Sequence, residues 1–160
     1  MRRKYNSIYL WRLYNNCNYI KMNFNKLILH CSATKPSMDI GLEEINEWHK
    51  KRGWRGCGYH FIIRRDGTVE NGRVITMKGA HAKGYNDCIG VCLVGGIDDN
   101  GKPEDNFTES QINAFYTLAL CLRMIFKKVE ILGHNDLPNV TKACPSFDVR
   151  EKFSEQFCNG

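Results

Sequence analysis

Histidine and cysteine carry most of the chemistry available to this 160-residue chain, which has five histidines (His30, His49, His60, His81 and His134) and eight cysteines. In the stretch "NVTKACPSFD", Cys144 directly precedes Pro145, with Lys142 two residues and His134 ten residues upstream. Such a cysteine could be buried filler, a nucleophile or a metal ligand. His30 and His134 each follow an apolar run ("LIL" and "VEILG") and precede a loop, so a rigid sheet can hold them facing open space. Two neutral imidazoles and a thiolate form a zinc set, and three protein ligands leave the fourth tetrahedral position for water, as catalytic sites do. The metal would lower that water's pKa from about 15.7 to roughly 7. Residue types and spacing alone leave this reading open against a core cysteine with two surface histidines.

The other histidines divide by position. His49 sits beside Trp48 and ahead of Lys50, Lys51 and Arg52, near the end of an expected helix, where an imidazolium suits the helix dipole and a structural role is expected. His60 alternates with Tyr59 on one strand, so one should face the core and the other a cleft or solvent.

The elements that must hold these residues are legible along the chain. "KLILHCS" (Lys26–Ser32) reads as a strand. "DIGLEEINEWHKKRG" predicts a helix with Asp39 as N-cap, a stripe of Leu42, Ile45 and Trp48, and Gly53 as its stop. "YHFIIRRDGTVENG" predicts a hairpin turning at Asp66-Gly67. "CIGVCLVGG" is apolar on both faces and predicts a central strand. Thr108 and Gln111 form a capping box opening a helix with the stripe Ile112, Phe115, Leu118, Ala119, Leu122 and Phe126. "VEILGH" is a further strand, and Asp148 can cap a last helix carrying Val149, Phe153 and Phe157. The expected fold is a single three-layer α/β domain, a central mixed β-sheet flanked by α-helices.

Bulk properties narrow the partners. The net charge of +6 is concentrated in residues 1–23, which contain Arg2, Arg3, Lys4, Arg12 and Lys21 and no acid, leaving 18 basic against 17 acidic residues in 24–160. A nucleic-acid-binding domain would carry its basic excess on the folded body, so no nucleic-acid partner is expected. Residues 1–23 read as a basic N-terminal extension, either a flexible arm or an upstream start, and 24–160 as one folded domain. No apolar run approaches the ~18 residues of a transmembrane helix, and "IYLW" is too short for a signal-peptide core. A reducing compartment with mostly free thiols is expected. There is no CxxC pair for a ribbon-type zinc site.

The blocks "LILHCSATKPS", "GWRGCGYHFIIRRDGTVENGR", "GAHAKGYNDCIGVCLVGGIDDNGK", "NFTESQ" and "KACPSFD" resemble the zinc-dependent N-acetylmuramoyl-L-alanine amidases. Their superfamily includes the peptidoglycan recognition proteins. The similarity runs from about Leu27 to Phe153. It implies one zinc ion held by His30, His134 and Cys144, with Tyr59 and Lys142 as catalytic residues. The implied reaction is hydrolysis of the amide between N-acetylmuramic acid and L-alanine in peptidoglycan. His81 and Asn86, in "GAHAKGYND", are expected to line the substrate groove, and Cys31 to face the opposite side as core.

Superfamily members that bind without cleaving often replace the ligand cysteine; here the whole set is present. A metal-free cysteine hydrolase built on Cys144 and His134 gains nothing from Pro145 or His30. Phage members imply a further partner, a phage RNA polymerase, by resemblance only; a pull-down with the cognate polymerase would test it. The expected state is a monomer, cytoplasmic as synthesised and acting on the cell wall after release at lysis.

Overall fold

A computed structural model describes residues 24–154. The expected N-terminal extension lies outside them, as do Cys17, Phe157 and Cys158. Five strands form one sheet in the order β3-β2-β4-β1-β5: β1 (Lys26–Cys31), β2 (Phe61–Ile63), β3 (Val69–Asn71), β4 (Ile89–Leu93) and β5 (Glu130–Gly133). β1 pairs in parallel with β4 and β5, and β2 in parallel with β4, while β3 runs antiparallel to β2. Every residue of β4 is buried, as its two apolar faces require of an interior parallel strand.

Alternation along the strands sends two sets of side chains to opposite faces. On one, Leu27, Leu29, Ile63, Ile89, Val91 and Leu93 pack against Phe115, Ala119 and Leu122 of α2 (Glu109–Phe126). On the other, Ile62, Cys92 and Val94 meet Ile45 of α1 (Leu42–Lys51), while Ile28 and Leu132 meet Ala82, Cys88 and Leu137. Helix, sheet and helix make three layers, as expected.

Helix α2 begins as its sequence predicts. The Thr108 hydroxyl accepts from the Gln111 backbone N–H at 3.2 Å, and Gln111 Oε1 accepts from the Thr108 N–H at 3.1 Å. The amide of Gln111 then donates to Ile63 O and Val94 O at 3.1 and 2.9 Å, tying the helix to the ends of β2 and β4.

Helix α1 differs from expectation at its start. Asp39 does not cap it; its carboxylate pairs with Arg64 at 3.0 Å. The cap comes from β3, where Glu70 Oε2 accepts from the Leu42 N–H at 2.6 Å. Gly41 precedes it because a Cβ there would lie 2.6 Å from that carboxylate. A negative group thereby meets the positive end of the helix. Gly53 terminates the helix with a φ of +82°.

The hairpin is also looser than a two-residue turn. Arg64 N–H bonds Thr68 O at 2.9 Å and Gly67 N–H bonds Arg64 O at 2.9 Å. The loop is therefore Arg65-Asp66-Gly67, with Gly67 at φ +90° taking the left-handed position. The last helix, α3, is one turn (Val149–Lys152), capped by Asp148 through the Glu151 N–H at 2.9 Å.

Candidate active site

The site gathers at the carboxyl ends of β1 and β5, the usual place for a site in an open α/β sheet. His30 is the fifth residue of β1 and is 1% exposed. β5 ends at Gly133, and the chain tightens into a 3-10 turn, His134–Asp136, that lifts the His134 imidazole over the sheet edge. Asp136 secures this turn by accepting the Gly133 N–H at 2.7 Å. The loop carrying Cys144 is tied to the same turn, because Asn135 N–H donates to Cys144 O at 2.8 Å.

His30 and His134 lie with ring centroids 4.6 Å apart, and Cys144 Sγ is 3.8 Å from His30 Nδ1. One ligand atom from each of the three residues lies within 4.8 Å of the others. Tetrahedral zinc with ordinary Zn–N and Zn–S bonds sets an N···S separation of about 3.6 Å, so the His30–Cys144 edge fits such an ion. Electrostatics also suit a cation. Burial holds His30 well below its ordinary pKa, with help from His81, His134 and Lys142; burial and Lys142 also lower that of His134. Both imidazoles are thus neutral at physiological pH, with lone pairs to give. A hydrogen bond with Cys31 and burial raise the Cys144 thiol, so that sulfur ionises readily only against a cation.

Tyr59 stands beside the cluster, its ring centroid 5.2 Å from that of His30. Burial raises its phenol well above the ordinary value, so the hydroxyl keeps its proton. Tyr59 and His60 precede β2, which begins at Phe61, and do not alternate across the sheet as expected: both rings reach the histidine cluster, Tyr59 at His30 and His60 at His81, with His60 the deeper at 1% exposure. Lys142 is exposed, yet its charge reaches both His30 and His134.

Residues 21–147 match the family described as N-acetylmuramoyl-L-alanine amidase. The chain belongs to this family. Its reaction is hydrolysis of the amide between N-acetylmuramic acid and L-alanine in peptidoglycan. Among its relatives, the endolysin of Klebsiella phage KP32 is 51% identical over 127 residues, 79% of this chain and 83% of the relative. The endolysin of Escherichia phage T7 is 51% identical over 125 residues, covering 78% and 82%. The solved amidase LysC from Clostridium intestinale superposes with a TM-score of 0.72 at 28% identity, covering 84% of this chain and 86% of that one.

Two further residues of the amidase, expected along the substrate groove, are placed differently from each other. Both ring nitrogens of His81 are taken by protein atoms: Nδ1 lies 3.0 Å from His30 Nε2, and Nε2 lies 3.1 Å from Cys88 O. Asn86 uses its side-chain oxygen to accept the N–H groups of His81 and Ala82 at 2.8 and 3.0 Å, which shapes the loop. A groove of about 1050 Å³ runs between α1 and residues 72–78 and includes none of the three clustered residues.

His49 has the structural place expected of it but not the charge. It is buried, its Nδ1 accepts the Gly58 N–H at 2.9 Å, and desolvation pushes its pKa down to about 4. The cost of burying a charge outweighs the attraction of the helix C-terminus. Cys31 is buried as expected, yet it is not remote. Its N–H donates to Cys144 Sγ at 3.3 Å, and its thiol lies 3.8 Å from Ser146 Oγ. The expected turn away from the site is not what these contacts show, because the 144–146 loop passes across the end of β1 and meets Cys31 there. Among the described residues, Cys31, Cys57, Cys88, Cys92, Cys121 and Cys144 are free thiols. No described helix is long and apolar enough to cross a membrane.

Proposed function

We propose that this amidase is a zinc enzyme of the endolysin type, with one zinc ion held by His30 Nδ1, the His134 imidazole and Cys144 Sγ. The observation that carries this reading is the convergence of two neutral imidazoles and one thiol, from three separate chain segments, at the carboxyl ends of the sheet. When bound, zinc supplies Lewis acidity toward the amide carbonyl and an activated water.

The protein's own residues do the rest. As the carbonyl carbon becomes tetrahedral, its oxygen gains negative charge. The Lys142 ammonium opposes that charge, and the Tyr59 hydroxyl, kept protonated by burial, donates a hydrogen bond to it. Packing against His30 and His49 holds the Tyr59 ring in place before substrate arrives, so little reorganisation is required of it. Asn86 spends its oxygen inside the loop and keeps its amide nitrogen to meet the muramyl peptide. Relatives named as phage endolysins support release of the enzyme onto the cell wall at host lysis.

The test is zinc content measured alongside peptidoglycan digestion, before and after chelation and zinc add-back. About one zinc per chain, with free L-alanine amino termini appearing only when zinc is present, is the expected result. Metal-free protein that still cleaved would replace this mechanism with nucleophilic attack by Cys144.

A further inference from the structure

We infer that His81 is a positioning residue that fixes the tautomer and ring orientation of His30, so that Nδ1 of His30 offers its lone pair to the metal. The inference rests on the reading of His30 as a ligand.

The argument is a count of protons starting from a backbone carbonyl. Cys88 O can only accept, so the His81 Nε2 that lies 3.1 Å from it carries the hydrogen. A neutral imidazole then has a bare Nδ1. That atom is 3.0 Å from His30 Nε2, which must therefore be the donor. His30, also neutral, is left with an unprotonated Nδ1, the nitrogen 3.8 Å from Cys144 Sγ. A partner on the far nitrogen of a metal-bound histidine commonly sets its tautomer and basicity.

The fold makes room for this arrangement. A Cβ at Gly90, in the middle of β4, would lie 2.5 Å from His81 Cδ2 and 2.6 Å from its Cγ. A Cβ at Gly79 would strike the same ring edge. Both positions need glycine because the imidazole fills the space a side chain would take. His60 secures the slot from behind: its Nδ1 accepts the Gly90 N–H at 2.9 Å and its Nε2 donates to Met77 O at 2.9 Å. Asn86, through the His81 N–H, fixes the loop on the other side. A histidine needed only for packing would not account for a one-directional relay ending on the far nitrogen of His30.

The experiment compares zinc affinity, by competition with a chelator, across full-length variants that keep all three ligands. His81→Ala should weaken zinc binding about 10–100-fold while circular dichroism stays native. His81→Gln, whose amide can accept from His30 and donate to Cys88, should recover most of the loss. Gly90→Ala should weaken binding through the crowded slot alone. In the metal-free wild type, nitrogen NMR should find His30 as the Nε2–H tautomer. A zinc Kd within twofold of wild type in His81→Ala, or an Nδ1–H tautomer at His30, would overturn the inference. A wild type that bound no zinc would instead sink the ligand assignment; the tautomer is read without metal and separates the two failures.

Discussion

The α2 face of the sheet buries Leu27, Leu29, Val91, Leu93 and Phe115 close to the buried polar side chain of Gln111. The α1 face buries His30, His49 and His60 and sets Tyr59 and His81 among them. One face relies on apolar area and close packing, which are non-directional and tolerate small shifts. The other adds to its apolar clusters a set of hydrogen bonds, in which each donor must find its acceptor. The same strands serve both, with Leu29 and His30 adjacent yet pointing into different chemistries. Stability and activity should therefore be separable by substitution.

The largest effect expected is on the α1 side. Cys144→Ser should lose zinc and lytic activity together, read as metal content and peptidoglycan digestion on one preparation. A variant that kept both would remove Cys144 from the ligand set. Next, Phe115→Ala should cost about 3–5 kcal/mol of stability in denaturant unfolding, with zinc Kd unchanged where the protein remains folded. A loss of zinc affinity in folded protein would show that the faces are coupled. Lys142→Ala should retain zinc but lose about 10²–10³-fold in turnover; unaltered turnover would mean that another group meets the developing charge.

The smallest effect concerns pH. His49 has a folded pKa of about 4 against 6.5 in the unfolded chain, so between these values the unfolded state binds the extra proton. Stability from this residue is present above pH 6.5 and lost as pH falls toward 4. Relative to pH 7.5, the loss at pH 5 should be about 2 kcal/mol. Removing this component with His49→Gln should flatten the wild-type profile by that amount. Parallel profiles would mean that folded His49 ionises freely.

What could be read in the sequence was what local chemistry decides. The Thr108–Gln111 capping box needs four consecutive residues and formed as expected. The strand ends carrying His30 and His134 were visible from apolar runs breaking into loops. The α1 cap was not: Glu44 takes the Gly41 N–H at 2.8 Å, and Glu70 reaches Leu42 across 28 residues. His81 was legible as a residue near the site but not as a partner of His30. That contact depends on Gly79 and Gly90 clearing the same space, a coincidence visible only in three dimensions. Cys31 illustrates the same limit: the sequence shows a buried residue at a strand end but not which loop crosses its path.

β1 is the first strand of the sheet to be made, yet both its neighbours, β4 and β5, are made later. Lys26, at its start, pairs with Glu130, 104 residues further on. During synthesis the apolar edges of β1 must wait for these partners, an interval of roughly 5–20 s at ordinary elongation rates. Such an edge invites pairing with other nascent chains. Cys144 follows His30 by 114 residues. The three clustered side chains therefore come together only after nearly all of the described chain has been made.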